Sequence, residues 1–388
     1  ECKGVPKGNC LTKEQRLSLQ MDEFMNRRYE FRYNTQIGEV EYRERFSFQF
    51  YFHPIDKRAQ NSIMLDAQSE GIGVWDRDID RYLHSNRVPI YNPLEEFLFH
   101  LPHWDGKDRI HALANRVPCN NPHWELLFHR WFLNMVSHWR GVDKMHANST
   151  SPILVGAQGT HKSTFCREMI PPALRAYYTD SIDFSQKRDA ELYLNRFALI
   201  NIDEFDQITL TQQGFLKHIL QKPVVNLRKP HGRSVLELQR YASFIGTSNQ
   251  KDLLTDPSGS RRFICIEVTG NIDTTQPIDY EQLYAQAMHE IYHGERYWFN
   301  SEDEQIMTEN NREFEQTPAM LQLFYQYFKA AQTKEEGEFL TPVEILNYLK
   351  KKSGISLSDN KVYHFGRLLQ KCGITSKHTY KGTVYQVI

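Results

Sequence analysis

The stretch Gly156-Ala-Gln-Gly-Thr-His-Lys-Ser163 decides the fold predicted for this chain. It follows the apolar run Ser151-Pro-Ile-Leu-Val155, which is typical of a buried parallel strand. It leads into residues 164–170, which favour a helix that ends before Pro171. A glycine-rich loop between a strand and a helix presents backbone N–H groups to phosphates. The sequence therefore predicts a phosphate-binding loop, and an ordinary surface turn is the alternative interpretation.

The predicted loop has a nucleotide-binding role and a metal-binding role. In this interpretation Lys162 neutralises charge on the β- and γ-phosphates of ATP, and the Ser163 hydroxyl is a ligand of Mg²⁺. His161 stands where the usual pattern has a second glycine, and histidine adopts a positive φ less readily than glycine does. Gly159 is expected to supply the flexibility instead. The residues predicted to hold ATP are Gly156, Gln158, Gly159, Thr160, His161, Lys162, Ser163 and Thr164.

Polar residues follow two further strand-like runs. The apolar run at residues 197–202 is followed by Asp203 and Glu204. Asp203 is predicted to hold Mg²⁺ through water, and Glu204 to orient and deprotonate the attacking water. The run at residues 242–248 is followed by Asn249, whose side-chain amide can contact the γ-phosphate or the attacking water. The alternative is an exposed acidic turn after a core strand.

Residues 156–268 resemble the ATPase core of the virulence-associated protein E family, which is related to the superfamily 3 helicases of viruses, phages and plasmids. The residues that carry the resemblance are Gly156, Gly159, Lys162, Ser163, Asp203, Glu204, the runs 228–233 and 246–249, and the segment 256–263. The resemblance implies an α/β P-loop NTPase core with an AAA+-like parallel sheet. It also implies a ring, usually a hexamer, that moves on single-stranded DNA at the expense of ATP.

The segment 256–263 resembles the part of that family that bears an arginine finger. The resemblance implies that Arg261 or Arg262 reaches the ATP held by a neighbouring subunit and stabilises its γ-phosphate. An arginine at the entry to a strand is otherwise a surface ion-pair partner of little energetic value.

Two basic segments are predicted to contact DNA. Residues 224–238 favour a β-hairpin, and a hairpin at this place in superfamily 3 helicases enters the ring channel and grips the DNA backbone. A solvated hairpin is the alternative. Residues 340–388 favour two helices and a terminal hairpin, the pattern of a winged helix that binds duplex DNA or docks a protein. The predicted DNA-binding residues are Arg228, Lys229, His231 and Arg233 in the first segment, and Lys361, Arg367, Lys377 and Lys381 in the second.

The chain has 388 residues, enough for several domains. Aromatic residues surround His129 and His138, which favours a core helix over a pair of metal ligands. Residues 280–299 favour an amphipathic helix after the core. The predicted domains are 1–54 (a helix and a β-hairpin), 55–145 (a mainly helical region), 146–275 (the ATPase core), 276–335 (a second helical region) and 336–388 (a winged-helix-like domain).

Composition restricts the partners of the chain. The net charge is −1, so a DNA site has to be a local basic patch or the lumen of a ring. Six scattered cysteines without a C-x-x-C pair argue against zinc and disulfides and favour a reducing cytoplasm. The sequence has no run of 18 apolar residues, so no membrane span is predicted. Because the chain starts with Glu1, we expect a fragment or a processed chain that lacks a primase or another N-terminal domain.

Two functions of different classes fit these features. The first is an ATP-driven DNA motor, a replicative helicase of a phage or another mobile element. The second is a nucleotide-bound module that assembles on DNA at an origin and hydrolyses ATP weakly or not at all. His161 in the loop favours the second, and the carboxylates at residues 203 and 204 favour the first.

Overall fold

The structure is a computed structural model that describes residues 11–48, 50–141, 145–227, 236–254, 257–315, 319–330, 337–354, 362–380 and 382–388. The chain divides into two compact units. Unit one consists of Glu1–Lys251 and Asp256–Glu313, and unit two consists of Asp252–Thr255 and Phe314–Ile388. None of the described helices is both long enough and apolar enough to cross a membrane.

Unit one begins with a small mixed sheet and three helices, called the N-terminal layer below. Its elements are α1 (Lys13–Arg28), β1 (Tyr29–Asn34), β2 (Glu39–Glu44), β3 (His53–Pro54), α2 (Lys57–Ser69), α3 (Asp76–Leu83) and β4 (Ile90–Tyr91). Thr12 and Gln15 form a capping box that starts α1. The strands lie in the order β3-β2-β1-β4, with β1 antiparallel to β2 and parallel to β4. The helix and hairpin predicted for this segment are thus present.

The N-terminal layer has a single buried core, which contains residues from both sides of the predicted boundary between residues 54 and 55. Phe24 of α1, Phe31 of β1, Ile63 of α2 and Tyr82 of α3 belong to one cluster. The rings of Phe31 and Tyr82 are 5.9 Å apart at their centroids. The hairpin therefore buries its apolar face together with helices that lie after the predicted boundary, and the two parts form one structural layer.

Three helices connect this layer to the central sheet. They are α4 (Pro93–Phe99), α5 (Arg109–Ala114) and α6 (Trp124–Trp139). Trp131 and Trp139 of α6 are fully buried, which confirms the predicted core helix. His129 Nε2 lies 2.6 Å from the Glu290 carboxylate. In the described part of the chain, no group of three or more His, Cys, Asp and Glu residues has a metal-binding arrangement.

The centre of unit one is a five-stranded parallel sheet flanked by helices, as the α/β prediction requires. Its elements are β5 (Ser151–Val155), α7 (Lys162–Glu168), β6 (Tyr178–Thr179), α8 (Lys187–Arg196), β7 (Leu199–Ile202), α9 (Leu210–Leu220), β8 (Val224–Leu227), β9 (Leu236–Gln239), β10 (Ser243–Ser248) and β11 (Phe263–Glu267). The sheet order is β11-β5-β10-β7-β6, and each neighbouring pair is parallel. Strands β8 and β9 pair separately as an antiparallel ribbon.

A buried arginine lies between this ribbon and the sheet. Arg240 follows β9, is fully buried, and burial lowers the pKa of its guanidinium. The guanidinium donates hydrogen bonds to the backbone oxygens of Asn148, Ile219, Leu220, Lys222 and Ala242. Three of these oxygens lie at the C-terminus of α9, where carbonyl groups lack helical partners and the helix dipole favours a cation. Arg240 thus joins the ribbon, α9 and the start of β10.

Two helices complete unit one, namely α10 (Tyr280–Tyr292) and α11 (Ser301–Asn310). The predicted helix 280–299 is too long, because α10 stops at Tyr292 and Gly294 follows with φ +85°. A positive φ is incompatible with a continuing right-handed helix, and glycine adopts it without steric cost.

The described residues of unit two form three helices and a three-stranded antiparallel sheet. Its elements are α12 (Ala319–Tyr327), β12 (Glu338–Leu340), α13 (Pro342–Ser353), α14 (Val362–Lys371), β13 (Ser376–Thr379) and β14 (Gly382–Val387). The strand order is β12-β14-β13. Phe324, Leu349, Phe365 and Leu369 belong to its buried cluster. The two predicted helices and the terminal hairpin of this region are therefore present.

Candidate functional site

The loop after β5 adopts two left-handed residues before α7 begins. Gly159 has φ +83° and His161 has φ +65°. His161 is the residue that replaces the expected glycine, and the backbone nevertheless has the conformation that favours glycine. A Cβ atom at Gly156 would lie 2.9 Å from the Val268 carbonyl oxygen, so the start of the loop also requires a glycine. The loop therefore ends with the N-terminus of α7 exposed to the adjacent cleft, at Lys162.

Lys162 is held against the loop that precedes it. Its side chain is 6% exposed, and Nζ donates to the carbonyl oxygens of Gly156 at 2.8 Å and Ala157 at 2.7 Å. Longer contacts of 3.3 Å reach Thr160 Oγ1 and Asn249 Oδ1. Burial lowers the pKa of Lys162, and the nearby carboxylate of Asp203 offsets part of that decrease. The ammonium group is thus placed at the floor of the cleft among oxygen acceptors.

Asp203, directly after β7, collects hydroxyl groups from two other elements. Ser163 Oγ at the start of α7 donates to Asp203 Oδ1 at 3.0 Å, and Thr247 Oγ1 at the end of β10 donates to the same oxygen. Glu204 is exposed and adopts φ +52°, a left-handed conformation that is uncommon for a non-glycine residue. The left-handed turn at Glu204 directs the chain away from the sheet immediately after Asp203.

The end of β10 contributes a second hydrogen bond to a carboxylate, between two residues that were not among the predicted site residues. Ser248 Oγ donates to Asp206 Oδ1 at 2.8 Å. Thr247 and Ser248 lie within the run 246–249 that carries the family resemblance, so their sequence position was a usable signal. Asp206 lies three positions beyond Asp203 in a short 3-10 turn, and sequence alone gave no sign of it.

These residues meet in one cleft of about 340 Å³ at the carboxyl edge of the sheet. Because β10 lies between β5 and β7, the residues that follow all three strands converge there. The strands that follow β5 in the chain, β6, β7 and β10, lie on one side of it within the sheet, and β11 lies on its other side. In open α/β sheets, ligands bind next to such a reversal of strand order. The cleft is lined by Gln158, Gly159, Thr160, His161, Lys162, Ser163, Thr164, Asp203, Glu204, Thr247, Ser248 and Asn249.

The predicted arginine pair does not line this cleft. Arg261 and Arg262 end a 3-10 turn before β11. Arg261 Nη1 contacts Glu304 Oε2 of α11 at 2.8 Å, on an open cleft that also includes Arg312. Within one chain the structure therefore does not bring Arg261 together with Lys162.

The predicted DNA-binding residues are only partly described. Arg228, Lys229, His231, Arg233, Lys361 and Lys381 lie outside the described residues. The ribbon of β8 and β9 that flanks the first four is present. Arg367 on α14 is exposed, and Lys377 on β13 is exposed with Nζ 3.5 Å from the centroid of the Phe339 ring.

A family model for the virulence-associated protein E-like domain matches residues 98–316, more than half of the chain. The chain belongs to this family. The matched range includes the whole cleft of this VapE-like chain and the helices α5, α6 and α10 beside it. A second model, for a domain of unknown function (DUF3874) described from a B. theta gene, matches residues 317–387, which lie in unit two.

Solved structures resemble the VapE-like chain in fold at low sequence identity. The apo structure of the NrS-1 C-terminal region (residues 305–718 of that protein) is 12% identical, with a TM-score of 0.50, and the match covers 97% of this chain and 99% of that one. An A-form apo structure of the same region is 11% identical, with a TM-score of 0.45 and coverage of 93% and 96%. No curated protein matches the sequence.

Proposed function

We propose that this VapE-like chain is an ATPase that drives movement on DNA, a replicative helicase of a mobile genetic element. The observation that supports the proposal is the convergence of Lys162, Ser163, Asp203 and Asn249 in one cleft at the carboxyl edge of a parallel sheet. These are an ammonium group, a hydroxyl, a carboxylate and an amide, the groups with which a P-loop NTPase holds a nucleoside triphosphate and its metal ion.

The donor set around Asp203 fits Mg²⁺. Ser163 Oγ and Asp203 Oδ1 are hard oxygen ligands 3.0 Å apart, and Thr247 Oγ1 contacts the same carboxylate. When bound, Mg²⁺ neutralises charge between the β- and γ-phosphates of ATP. Asp203 would hold the ion and keep the Ser163 hydroxyl oriented toward it.

The other cleft residues would act on the nucleotide itself. The N-terminus of α7 and the loop N–H groups would bind the phosphates, since unpaired N–H groups and the helix dipole favour anions. Lys162 would exchange its bonds to the Gly156 and Ala157 carbonyls for the β- and γ-phosphates. Glu204, exposed at the cleft, would orient the attacking water and accept its proton. Asn249 would contact the γ-phosphate.

The DNA-binding parts of the proposal rest on position and charge. The ribbon of β8 and β9 lies between α9 and β10 in the chain, and the basic residues predicted to contact DNA stand between its two strands in the sequence, outside the described residues. The family resemblance supports a ring, usually a hexamer, in which such tips line a channel for single-stranded DNA. In unit two, the α13, α14 and hairpin arrangement supports a winged helix, with Arg367 as a candidate contact to duplex DNA.

Hydrolysis and its dependence on DNA test the proposal. Lys162→Ala should abolish ATP turnover and weaken ATP binding, because the ammonium group at the γ-phosphate is lost. Glu204→Gln should keep ATP binding and lose turnover. Lys251→Ala, which removes an exposed lysine paired with Glu267, is the matched control and should behave as wild type. Unchanged turnover in Lys162→Ala would refute the site.

A second candidate function is a nucleotide-bound module that assembles on DNA without hydrolysis. The carbonyl-bound Lys162 favours this function, because its ammonium group would have to release the Gly156 and Ala157 oxygens for a phosphate to bind. His161 favours it as well, because it adds a side chain where the loop pattern has a glycine. Single-stranded DNA should stimulate the ATPase of a motor severalfold. ATP binding without DNA-stimulated turnover in the wild-type chain would favour the module instead.

A further inference from the structure

An exposed aromatic loop follows β2 in the N-terminal layer. Phe46, Phe48, Phe50 and Tyr51 are exposed at 88%, 97%, 73% and 80%. No acidic residue occurs from Phe46 to Ile55. Isolated exposed apolar residues are normal, but a contiguous set of this size marks an interaction site. We call Phe46, Phe48, Phe50 and Tyr51 the aromatic loop.

The aromatic loop is held in place by the sheet behind it. Arg43 Nη1 donates to the Phe50 carbonyl oxygen at 3.1 Å. The guanidinium groups of Arg32 and Arg43 lie 4.0 and 4.7 Å from the centroid of the Phe52 ring. The next ring along the chain is thus enclosed between two cations, while the four rings of the aromatic loop point into solvent.

The charges around the aromatic loop argue against nucleic acid as its partner. Arg32 pairs with Glu41, and Arg43 and Arg45 both pair with Glu30. Single-stranded DNA sites combine stacking rings with an uncompensated positive groove that follows the phosphates. Here Arg32 has a carboxylate of its own and Arg43 and Arg45 share the carboxylate of Glu30, so the rings do not lie along a continuous positive groove. The surface therefore matches an apolar groove on a protein.

A groove with those properties lies on the same layer. Leu17 and Met21 of α1 and the buried Tyr82 of α3 form its floor, and Trp75, which is 62% exposed, forms its rim. The groove has a volume of about 530 Å³. Arg77 and Arg81 at its edge, with side chains 75% and 76% exposed, share one carboxylate, that of Asp78. Methionine, tryptophan and arginine all make favourable contacts with a phenylalanine ring.

The aromatic loop and this α1/α3 groove are not in contact within one chain, because no ring of the loop lines the groove. The loop starts where Arg45 N donates to the carbonyl oxygen of Arg28, the last residue of α1. Leu17 lies near the other end of α1, about 16 Å away along the helix axis at 1.5 Å per residue. A contact between two copies would join these unlike surfaces head to tail, an arrangement that gives a ring when the rotation closes and a filament when it does not.

We propose that the aromatic loop of one copy inserts into the α1/α3 groove of a second copy of this chain. Four aromatic side chains bury about 600 Å² or more, close to the roughly 800 Å² per partner of a stable interface. The contact uses no residue of the nucleotide cleft, so it is separate from the proposed ATP chemistry and goes beyond it.

Self-association without nucleotide tests the interface. The double variant Phe46→Ser/Phe48→Ser should raise the self-association Kd at least about tenfold by sedimentation velocity, as loss of a central aromatic contact does. Arg81→Glu in the groove should raise it in the same way. Phe99→Ser, which removes an equally exposed ring (83%) from the end of α4, is the control and should associate as wild type. Circular dichroism checks that each variant folds.

Photocrosslinking identifies the occupant of the groove. With p-benzoylphenylalanine at position 48, irradiation should join an isotope-labelled copy to an unlabelled copy through residues 13–21 or 75–87. A monomeric wild type at all concentrations would overturn the proposal. Crosslinking to single-stranded DNA, with association unchanged in the serine variant, would overturn it in favour of a stacking platform. Crosslinks from loop to loop would replace the head-to-tail contact with a symmetric one.

Discussion

His161 has a backbone conformation that its residue type disfavours. Its φ of +65° places an imidazole side chain in a region that costs roughly 1–2 kcal/mol for a non-glycine residue. Gly159, two positions earlier, has a similar φ without that cost. Strain retained beside a cluster of polar side chains is typical of a functional loop.

We therefore predict that His161→Gly stabilises unit one. The free energy of unfolding should rise by about 0.5–1 kcal/mol, because removal of the left-handed penalty exceeds the chain entropy that glycine adds. All six tryptophans lie in unit one, so fluorescence during urea unfolding reports on that unit. Thr160→Gly is the control and should destabilise unit one, because Thr160 does not have a positive φ. A lower midpoint for His161→Gly would show that the imidazole is needed where it lies.

At the level of elements, the site depends on how closely β10 packs between β5 and β7. A Cβ atom on Gly246 would lie 2.8 Å from Ile153 Cδ1 and 3.2 Å from the Ile202 carbonyl oxygen. The Ile153 side chain of β5 would then have to move, and the Ile202 carbonyl group of β7 would have to shift by a few tenths of an ångström. The absence of a side chain at Gly246 keeps the ends of the three strands within hydrogen-bonding reach of one another.

Two glycine-to-alanine changes should have opposite signs. Gly246→Ala should lower the stability of unit one by about 1–3 kcal/mol, the cost of overpacking a core. Gly214→Ala on α9 should raise it by about 0.5–1 kcal/mol, because no atom lies within 4 Å of the added methyl group and alanine favours a helix. The same urea titration compares them. Equal effects would mean that backbone entropy, and not the clash, decides.

The elements of this core were largely predictable, and their contacts were not. Apolar runs ending in polar residues predicted β5, β7 and β10, and Asp203 and Asn249 were predicted to serve one site. The roles of Thr247 and Asp206 depend on β10 lying beside β7, and strand order is not contained in the period of a run. The core that the hairpin shares with α2 and α3, across the boundary predicted at residue 54, likewise depends on long-range packing that the period of a run does not contain.

At the level of the whole molecule, the separation of Arg261 from the cleft predicts a composite active site. If Arg261 completes the site of a neighbouring subunit, Arg261→Ala should bind ATP and hydrolyse it poorly, and mixing it with Lys162→Ala should restore part of the activity. Turnover per subunit should also rise with protein concentration. Arg312→Ala, on the same open cleft, is the control and should keep full turnover. Concentration-independent turnover without restoration on mixing would show that one chain contains the complete site.

Arg240 has a mechanical consequence for the ribbon of β8 and β9. Its guanidinium is bonded to carbonyl oxygens on three separate segments, so the base of the ribbon behaves as a pivot anchored in the protein interior. Separating the base would leave a buried cation and several carbonyls without partners, which costs far more than rotating the ribbon as a rigid arm. A displacement of the ribbon is therefore transmitted to the start of β10, four positions before Thr247 and the cleft. Arg240 thus couples any movement of the ribbon to the end of α9 and to the residue that precedes β10.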